Sequence, residues 1–525
     1  MFKRTLSMLL LLMMILALFA GCSKSGASKD SSSSEKETST SEESSTGEKE
    51  ESKDEKPAHI VVESLYFDAV PRDLEKVEAA INEITIPAIN VEVELYPLGL
   101  SESAQQVSLM ISSGSQMDLI VNLGRSDFLS LVNKNMLLDL KDLLDNYGQG
   151  IIENAPNAIE GGYVGDTLYG IPSVEKYGNT YGLLMAKEVT DAVGWTKFED
   201  LTPEELGEFL AQAHELYPDK TLIQLSGGGG NVSNFDYLYD VDDLGAGLSC
   251  GGILGIGKDE GDQIVNIFAT DEYKEFCNTM HAWYEAGYIN QDAATCTENV
   301  QSFVQNGQAV GYFLQTELDM VPGQTAGTGV ELVALNTRSH TLVTQNIASG
   351  LWSIPYTCEN PEAAMKFMNM MWDNEDIINL IYYGIEGLDY QVVDDGSGRI
   401  GFLDGESPQT CGYHQWFGIY GNTPRRLTWI DLPADYKDQL QAFNNDVNED
   451  NTSKYLGYCF NPESVKTQYA AVQDVISTYR TPLECGVVDP ETMLPQFISA
   501  LEAAGINDII AANQAALDEW KAAQK

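Results

Sequence analysis

The segment HIVVESLYF, residues 59–67, decides the fold class, because it is the first of three apolar runs that alternate with helical patterns. A helical stretch over residues 71–84 follows it. Next comes VEVELYPL (91–98), in which apolar and acidic residues alternate as in a half-buried strand. A second helical stretch leads to the strand MDLIV (117–121). Strands and helices that alternate in this way predict an α/β fold, in which helices cover a sheet.

The length and composition fit a large globular protein. The chain has 525 residues, 43% of them hydrophobic, which allows about two to four domains at roughly 150 residues each. Its formal net charge is −49, and no Lys/Arg-rich run interrupts this acidity. Nucleic acid and anionic membrane surfaces attract positive charge, so we exclude both as partners of the folded body.

The N-terminus has the pattern of an export signal. Lys3 and Arg4 precede an apolar run over residues 8–20, which is shorter than the roughly 20 residues that a membrane-spanning helix needs. The run ends in LFAGC, which resembles the lipoprotein box of bacteria, in which the cysteine is lipidated. We therefore predict a signal peptide over residues 1–21 and a lipid anchor on Cys22. An ordinary signal peptide with an incidental cysteine is the alternative.

A polar segment separates this cysteine from the apolar part of the chain. Residues 23–56 contain no aromatic and no large aliphatic side chain, and they carry ten acidic and six basic residues. Such a segment cannot bury enough apolar area to offset the entropy of ordering, so residues 22–56 are predicted to be a lipidated, disordered tether. Residues 57–525 retain 69 acidic and 22 basic residues, a net charge of −47.

Three sequence patterns suggest chemistry, but their contexts argue against it. Residues 247–251 fit G-x-S-x-G, yet loop-like sequence flanks them where a nucleophile elbow needs a strand and a helix. The glycines at 227–230 lack the Lys and Ser/Thr of a phosphate loop. Residues 444–450 alternate like a calcium loop, but Glu449 and Tyr455 replace its glycine and its final acid. We therefore predict no catalytic residue, no cofactor and no metal.

Three helices are predicted from their first residues. TPEE at 202–205 combines an N-cap, a first-turn proline and a capping-box glutamate. The dipeptides Asn-Pro at 360–361 and Asp-Pro at 489–490 begin two more helices, and Gly505 ends the last of them.

Four longer segments resemble the extracellular solute-binding proteins of ATP-driven importers, in the family 1 group that contains maltose-binding protein. They are SLMISSGSQMDLIVNLGRSDFLSLVNKNMLLDL (108–140), TLYGIPSVEKYGNTYGLLMAKEV (167–189), DEYKEFCNTMHAWYEAGYINQDA (271–293) and NIASGLWSIPYTCENPEAAMKFMNMM (346–371). Each is similar to a segment of that family, and the four stand in the family's order. One departure is Met117, where the family usually has proline.

The C-terminal part is similar to a lipoprotein-type subgroup with an extra C-terminal region. The segments that carry this resemblance are YYGIEGLDYQVV (382–393), WFGIYGNTPRRLTW (416–429), YLGYCFNPESVKTQYAAV (455–472) and CGVVDPETMLPQFISALEAAGINDIIAANQAALDEW (485–520). The resemblance therefore extends over nearly all of residues 59–525.

The resemblance implies a two-lobed, periplasmic-binding-protein-like fold of type II, with lobes joined by hinge strands. By analogy, lobe 1 comprises residues 59–177 and 345–378, and lobe 2 comprises 178–344 and 379–525, including a C-terminal helical region. Such a protein closes over a solute and hands it to the permease of an ABC importer without changing it. The resemblance thus implies a monomeric, non-enzymatic lipoprotein on the outer face of the cytoplasmic membrane.

The composition favours a sugar as the ligand. The chain has 25 Tyr and 7 Trp, and aromatic rings pack on the apolar faces of sugars while planar polar groups bond their hydroxyls. We predict an oligosaccharide, with a peptide as the alternative ligand. A surface glycoside hydrolase is the alternative from another class, because 69 carboxylates supply many pairs that spacing cannot exclude.

Ligands of open α/β sheets lie beyond the carboxyl ends of the strands, and this position selects candidate binding residues. Those of the first lobe are Tyr66, Asp68, Asn122, Arg125, Glu175 and Tyr177. Those of the opposite wall and the later segments are Asn231, Phe235, Tyr312, Trp352, Tyr413, Trp416 and Asn422.

Overall fold

The computed structural model describes most of the chain from residue 56 onward. The described ranges are 56–66, 69–155, 158–229, 234–255, 263–347, 350–393, 396–407, 410–415, 418–448 and 450–523. Four residues with predicted roles lie outside these ranges, namely Cys22, Asp68, Asn231 and Trp416, and so do the predicted signal peptide and nearly all of the tether.

Strands and helices alternate through the first half of this body. The strands are β1 (Ala58–Tyr66), β2 (Val91–Gly99), β3 (Ile120–Asn122), β4 (Tyr163–Val164), β5 (Thr167–Leu168), β6 (Ile171–Pro172), β7 (Asn179–Ala186), β8 (Val241–Asp242), β9 (Ile253–Leu254), β10 (Gly311–Gln315), β11 (Leu332–Thr341), β12 (Leu351–Ser353), β13 (Gln391–Val392) and β14 (Ile400–Gly401).

Helices become longer towards the C-terminus, where three of them fill most of residues 466–523. The α-helices are α1 (Leu74–Ile89), α2 (Ser103–Ser113), α3 (Arg125–Asn133), α4 (Lys141–Tyr147), α5 (Gln149–Asn154), α6 (Lys187–Val193), α7 (Pro203–Leu216), α8 (Asp271–Glu285), α9 (Val300–Gln305), α10 (Met320–Thr328), α11 (Thr344–Ile347), α12 (Pro361–Asp373), α13 (Glu375–Tyr383), α14 (Tyr436–Asn445), α15 (Lys466–Glu484), α16 (Pro490–Ala504) and α17 (Ile506–Ala523). Within the described ranges, no helix combines the length and apolarity that crossing a membrane requires.

The first three strands confirm the predicted α/β alternation. β1 and β2 pair in parallel along their whole length, which is possible because α1 provides the crossover connection. Val62 of β1 forms a parallel bridge with Leu119, just before β3. β12 enters antiparallel between β3 and β6, with Trp352 opposite both Val121 and Ile171. A second sheet places β7 between β10 and β11, antiparallel to both.

The body contains two large apolar cores, which is the arrangement that two lobes require. The first core collects buried side chains from residues 60–174 and 351–420, and the second from residues 183–335 and 455–517. The chain therefore passes between the cores three times, over residues 174–183, 335–351 and 420–455. The first of these crossings leads directly into β7.

The third crossing lies later in the chain than the resemblance implied. The resemblance places residues 379–525 together in lobe 2, but α13 and the side chains of Tyr413 and Tyr420 pack in the first core. The Tyr420 hydroxyl accepts a hydrogen bond from the amide of Leu65 in β1 at 3.0 Å, and this bond joins the segment to the first sheet. We therefore propose that lobe 1 extends to about residue 420.

The three predicted helix starts are confirmed. In α7, Thr202 Oγ1 accepts from the Glu205 amide, and the Thr202 amide donates in return to Glu205 Oε2 at 2.9 Å. α12 begins at Pro361, although the side chain of Asn360 does not cap it. α16 begins at Pro490 and ends at Gly505, whose positive φ of 98° favours glycine.

Glu63 is a buried carboxyl group at the centre of the first sheet. It accepts hydrogen bonds from the Ser103 hydroxyl and from the Val121 amide, the latter at 2.9 Å. Burial raises the pKa of Glu63 to about 7, against the lowering effect of these two bonds. The folded protein therefore holds a proton on Glu63 at pH values where the unfolded chain has lost it. This contribution to stability is complete below about pH 4.5 and is lost as the pH rises towards 7.

We expect Glu63→Gln to be more stable than the wild type above pH 7, by on the order of 1–3 kcal/mol, because the amide carries no charge to bury. The gain should shrink towards pH 5. Urea unfolding at pH 5 and pH 8 measures both values, and Glu83→Gln on the exposed side of α1 is the control. An equal change in the free energy of unfolding at the two pH values would contradict the titration of Glu63.

Candidate functional site

A pocket of about 720 Å³ lies between elements of the two cores. Its volume falls in the range of about 300–1,000 Å³ that is usual for ligand sites. The lining residues lie within 124–134, 243–247 and 460–469, together with Gln345. Since Leu129 belongs to the first core and Phe460 to the second, the pocket is a gap between the predicted lobes and is the candidate site.

The first wall follows the carboxyl end of β3, where the sequence predicted binding residues. Gly124 is extended and leads into α3, whose first residue is Arg125. The guanidinium of Arg125 donates hydrogen bonds to the carbonyls of Gly161 and Tyr163, and it lies 5.1 Å from the centre of the Phe128 ring. Arg125 thus lines the pocket, and its contact with a ligand stays a prediction. Its buried Nε–H has no protein partner, while its terminal nitrogens hold α3 in place.

The second wall is a loop with a carboxyl group. Asp243 Oδ1 accepts from the Gly245 amide at 2.9 Å. Burial, together with the neighbouring Asp242 and Asp236, raises the pKa of Asp243 to about 7. The half-buried side chain therefore exchanges its proton near neutral pH, so that it can accept a hydrogen bond from a ligand hydroxyl or donate one to it.

The third wall belongs to the C-terminal region. Phe460 is buried in the second core, and Lys466 and Tyr469 of α15 extend the wall along the pocket. Asn461 exchanges side-chain hydrogen bonds with Asn133 of α3. The pocket therefore combines aromatic rings, amides and charged groups from both lobes.

Two predicted residues, Glu175 and Tyr177, lie at the first crossing and not among the residues that line this pocket. Glu175 Oε1 is 3.5 Å from a guanidinium nitrogen of Arg426. The Tyr177 amide donates to Asn444 Oδ1 at 2.8 Å. The Tyr177 hydroxyl is buried without a partner, and burial raises the pKa of this side chain to about 12.

Four predicted aromatic residues are buried in the apolar interior, so our assignment of them to the ligand site is corrected. They are Phe235, Tyr312, Trp352 and Tyr413. Trp352 Nε1 donates to the Ile419 carbonyl at 2.6 Å, and the Tyr312 hydroxyl donates to Gln324 Oε1 at 2.6 Å. A buried ring with a satisfied polar end is stable without a ligand. These rings pack the lobes and do not face the pocket.

The predicted amides serve the fold in a similar way. Asn122 is buried and donates to the Leu351 carbonyl at 3.0 Å, across the β3–β12 pair. Asn422 is buried and donates to the Trp372 carbonyl at 3.2 Å. Tyr66 ends β1 with a half-buried side chain and is not among the residues that line the pocket.

The sequence reasoning missed Asp243, Phe460, Lys466 and Tyr469. Asp243 stands in a glycine-containing loop, and Tyr469 follows the segment NPES at 461–464. A glycine-containing loop and an Asn-Pro helix start also occur in many segments that bind nothing, so neither pattern marks a binding site. Nothing in the local pattern indicates that the two segments face α3, because that contact depends on how the C-terminal region folds back.

Ser249, in the G-x-S-x-G pattern, is buried and accepts a hydrogen bond from Gln473 Nε2 at 2.7 Å. It lies in a short 3₁₀ turn over residues 248–250, which follows a loop, as the flanking sequence predicted. Within the described ranges, no group of three or more His, Cys, Asp and Glu residues is arranged to hold a metal ion.

Two family models match the chain. Residues 79–383 match the model for bacterial extracellular solute-binding proteins. Residues 454–522 match a domain of unknown function, DUF3502. This second match covers all of α15 and α16 and nearly all of α17, and it includes the third wall of the pocket.

Relatives from Streptococcus pneumoniae share this organisation. A carbohydrate ABC transporter substrate-binding protein is 24% identical over 452 residues, which covers 83% of this chain and 85% of the relative. The crystal structure of the N-glycan transport solute-binding protein NgtS superimposes with a TM-score of 0.75 at 19% identity, covering 89% of this chain and 100% of NgtS. NgtS in complex with Man1GlcNAc superimposes with a TM-score of 0.67 at 19% identity. This superposition covers 88% of this chain and 99% of NgtS. The likeness confirms the predicted two-lobed α/β fold.

Trp352→Ala is expected to destabilise the protein by about 3–5 kcal/mol, because it leaves a large cavity in the first core. Tyr356→Ala, which truncates a ring that is 51% exposed near the same strand, should cost less than about 1 kcal/mol. Denaturant unfolding of the two variants measures the difference. A Trp352→Ala protein as stable as the Tyr356 control would contradict the core position of Trp352.

Proposed function

The chain belongs to the family of bacterial extracellular solute-binding proteins, and from this premise we propose that it captures an oligosaccharide between its lobes. It then delivers the sugar to the permease of an ABC transporter. The observation that carries this proposal is the pocket between the two cores, with its three walls from α3, the Asp243 loop and the C-terminal region. Binding and release of an unchanged solute require no nucleophile, metal or cofactor.

The chemistry of the pocket supports a sugar. Tyr469 supplies aromatic surface, while Asn133, Asp243 and Gln345 supply hydrogen-bonding groups. Aromatic rings pack on the apolar faces of sugar rings, and planar amide and carboxyl groups bond hydroxyls in a fixed geometry. The relatives support the same class of ligand, since one is a carbohydrate substrate-binding protein and NgtS was crystallised with Man1GlcNAc.

Closure follows from the position of the pocket. A ligand that contacts α3 and the C-terminal wall together has more partners when the lobes are close than when they are apart. It therefore stabilises the closed state in proportion to its differential affinity for that state. The three crossings are the segments in which a hinge can bend.

We expect the purified protein to bind glycans without cleaving them. A panel that includes Man1GlcNAc and Man5GlcNAc should contain a ligand that raises the melting temperature in a concentration-dependent way. At a free ligand concentration of 100 times the dissociation constant, the free energy of unfolding should rise by about 2.7 kcal/mol. Mass spectrometry of the ligand recovered after denaturation should give its original mass.

A peptide library of similar size is the control ligand set for this experiment. Stabilisation by peptides and not by glycans would favour the peptide-binding alternative. Shortened glycans after long incubation would favour the glycoside hydrolase.

We also propose that Cys22 is lipidated and anchors the protein. The tether would then hold the binding lobes at the outer face of the cytoplasmic membrane. We expect Cys22→Ala to lose acylation and to appear in the medium or as an unprocessed precursor, because the lipid chains provide the attachment. Labelled-palmitate incorporation and cell fractionation measure this. Cys358→Ala, which changes a cysteine of the folded body, is the control and should remain acylated. Acylation of the Cys22→Ala protein would contradict the anchor.

A further inference from the structure

The C-terminal domain over residues 454–522 is built into the second core. Val472 of α15 and Leu517 of α17 are fully buried there. Glu484, at the end of α15, is also buried and accepts a hydrogen bond from the Asn234 amide at 2.7 Å. Because these contacts join the domain to the second lobe over its whole length, the surface that it presents to the pocket has a fixed position in that lobe.

One end of the domain reaches the first lobe across the pocket. Phe460, Lys466 and Tyr469 line the pocket opposite α3. At the edge, Asn133 Nδ2 donates to Asn461 Oδ1 at 3.2 Å, and Asn461 Nδ2 donates back to Asn133 Oδ1. This reciprocal amide pair holds the wall and α3 within hydrogen-bonding distance, so a ligand in the pocket lies between them.

The side chains of this wall suit a sugar. The hydroxyl of Tyr469 accepts a hydrogen bond from Gln473 Nε2 at 3.0 Å, which orients the half-buried ring. Lys466 Nζ lies 2.6 Å from Glu463 Oε1, and the Lys466 side chain is 70% exposed. Water screens such an exposed ion pair, so it contributes little to stability. A ligand hydroxyl can therefore replace either partner at little cost.

We propose that the C-terminal domain is a ligand-contacting wall of the binding site, in which Tyr469 packs on a sugar ring and Lys466 borders the entrance. The domain thereby takes part in selecting the glycan. This inference rests on the proposed function, because it assigns the domain a part in the same binding event.

The test is calorimetric titration of the purified full-length protein with the glycan from the panel that binds the wild type most tightly, beginning with Man1GlcNAc and Man5GlcNAc. Tyr469→Ala should weaken binding at least tenfold, and its control is Tyr356→Ala, an exposed tyrosine outside the pocket.

Lys466→Trp should also weaken binding at least tenfold, because the indole narrows the pocket. Its control is Thr467→Trp, at the adjacent exposed position, which does not line the pocket. Both controls should bind within twofold of the wild type.

The outcomes separate the two proposals. A wild type that binds no glycan overturns the proposed function, and this inference with it. A wild type that binds, together with Tyr469→Ala and Lys466→Trp proteins of wild-type affinity, overturns the inference alone. Should Tyr469→Ala fail to fold, the Lys466→Trp and Thr467→Trp pair decides, because both positions are exposed and tolerate substitution. Equal weakening by these two also overturns the inference.

Discussion

The arrangement of the molecule depends on three passages of the chain between two separate cores. At the first passage Lys176 lies 2.8 Å from Asp319 and 3.6 Å from Glu317, with little exposure of the three side chains. Buried charges are tolerated where they are paired, and losing one partner leaves the other uncompensated. This network therefore fixes where β7 begins. The position of β7 in turn sets how the second sheet faces the first lobe, and thus where a gap between the lobes remains.

Elements of both lobes could be predicted where they follow from local patterns. The alternation of residues 91–98 specifies a strand with one buried face, and the capping residues at 202–205 specify a helix start. The third crossing could not be predicted in this way. Whether α13 packs in the first or the second core depends on long-range contacts, such as the bond between Leu65 and Tyr420, which have no local signature.

The site was predicted less well than the fold, for a related reason. Position at the end of a strand selected Arg125, which borders the pocket, and its contact with a ligand stays a prediction. Periodicity shows that a residue such as Trp352 is on a covered face, but not whether protein or ligand covers it. β12 has strands on both sides, and the Trp352 ring is completely enclosed. An aromatic residue in a central strand is therefore a weaker candidate for a ligand contact than one in a helix at the edge of a pocket.

The charges of the pocket bear on the ligand in a way that the net charge of the chain does not. Arg125, Lys134 and Lys466 line the pocket of a body with a net charge of −47, which suggests at first a site for an anionic sugar. However, the terminal nitrogens of Arg125 already serve two backbone carbonyls, and Lys466 is paired with a carboxylate. Glu463 and Asp243, when ionised, oppose the remaining positive charge. An anion would therefore have to displace existing partners against the field of an acidic body. A neutral, hydroxylated ligand needs only to exchange hydrogen bonds with these same groups, so the pocket suits a neutral glycan better than an acidic one.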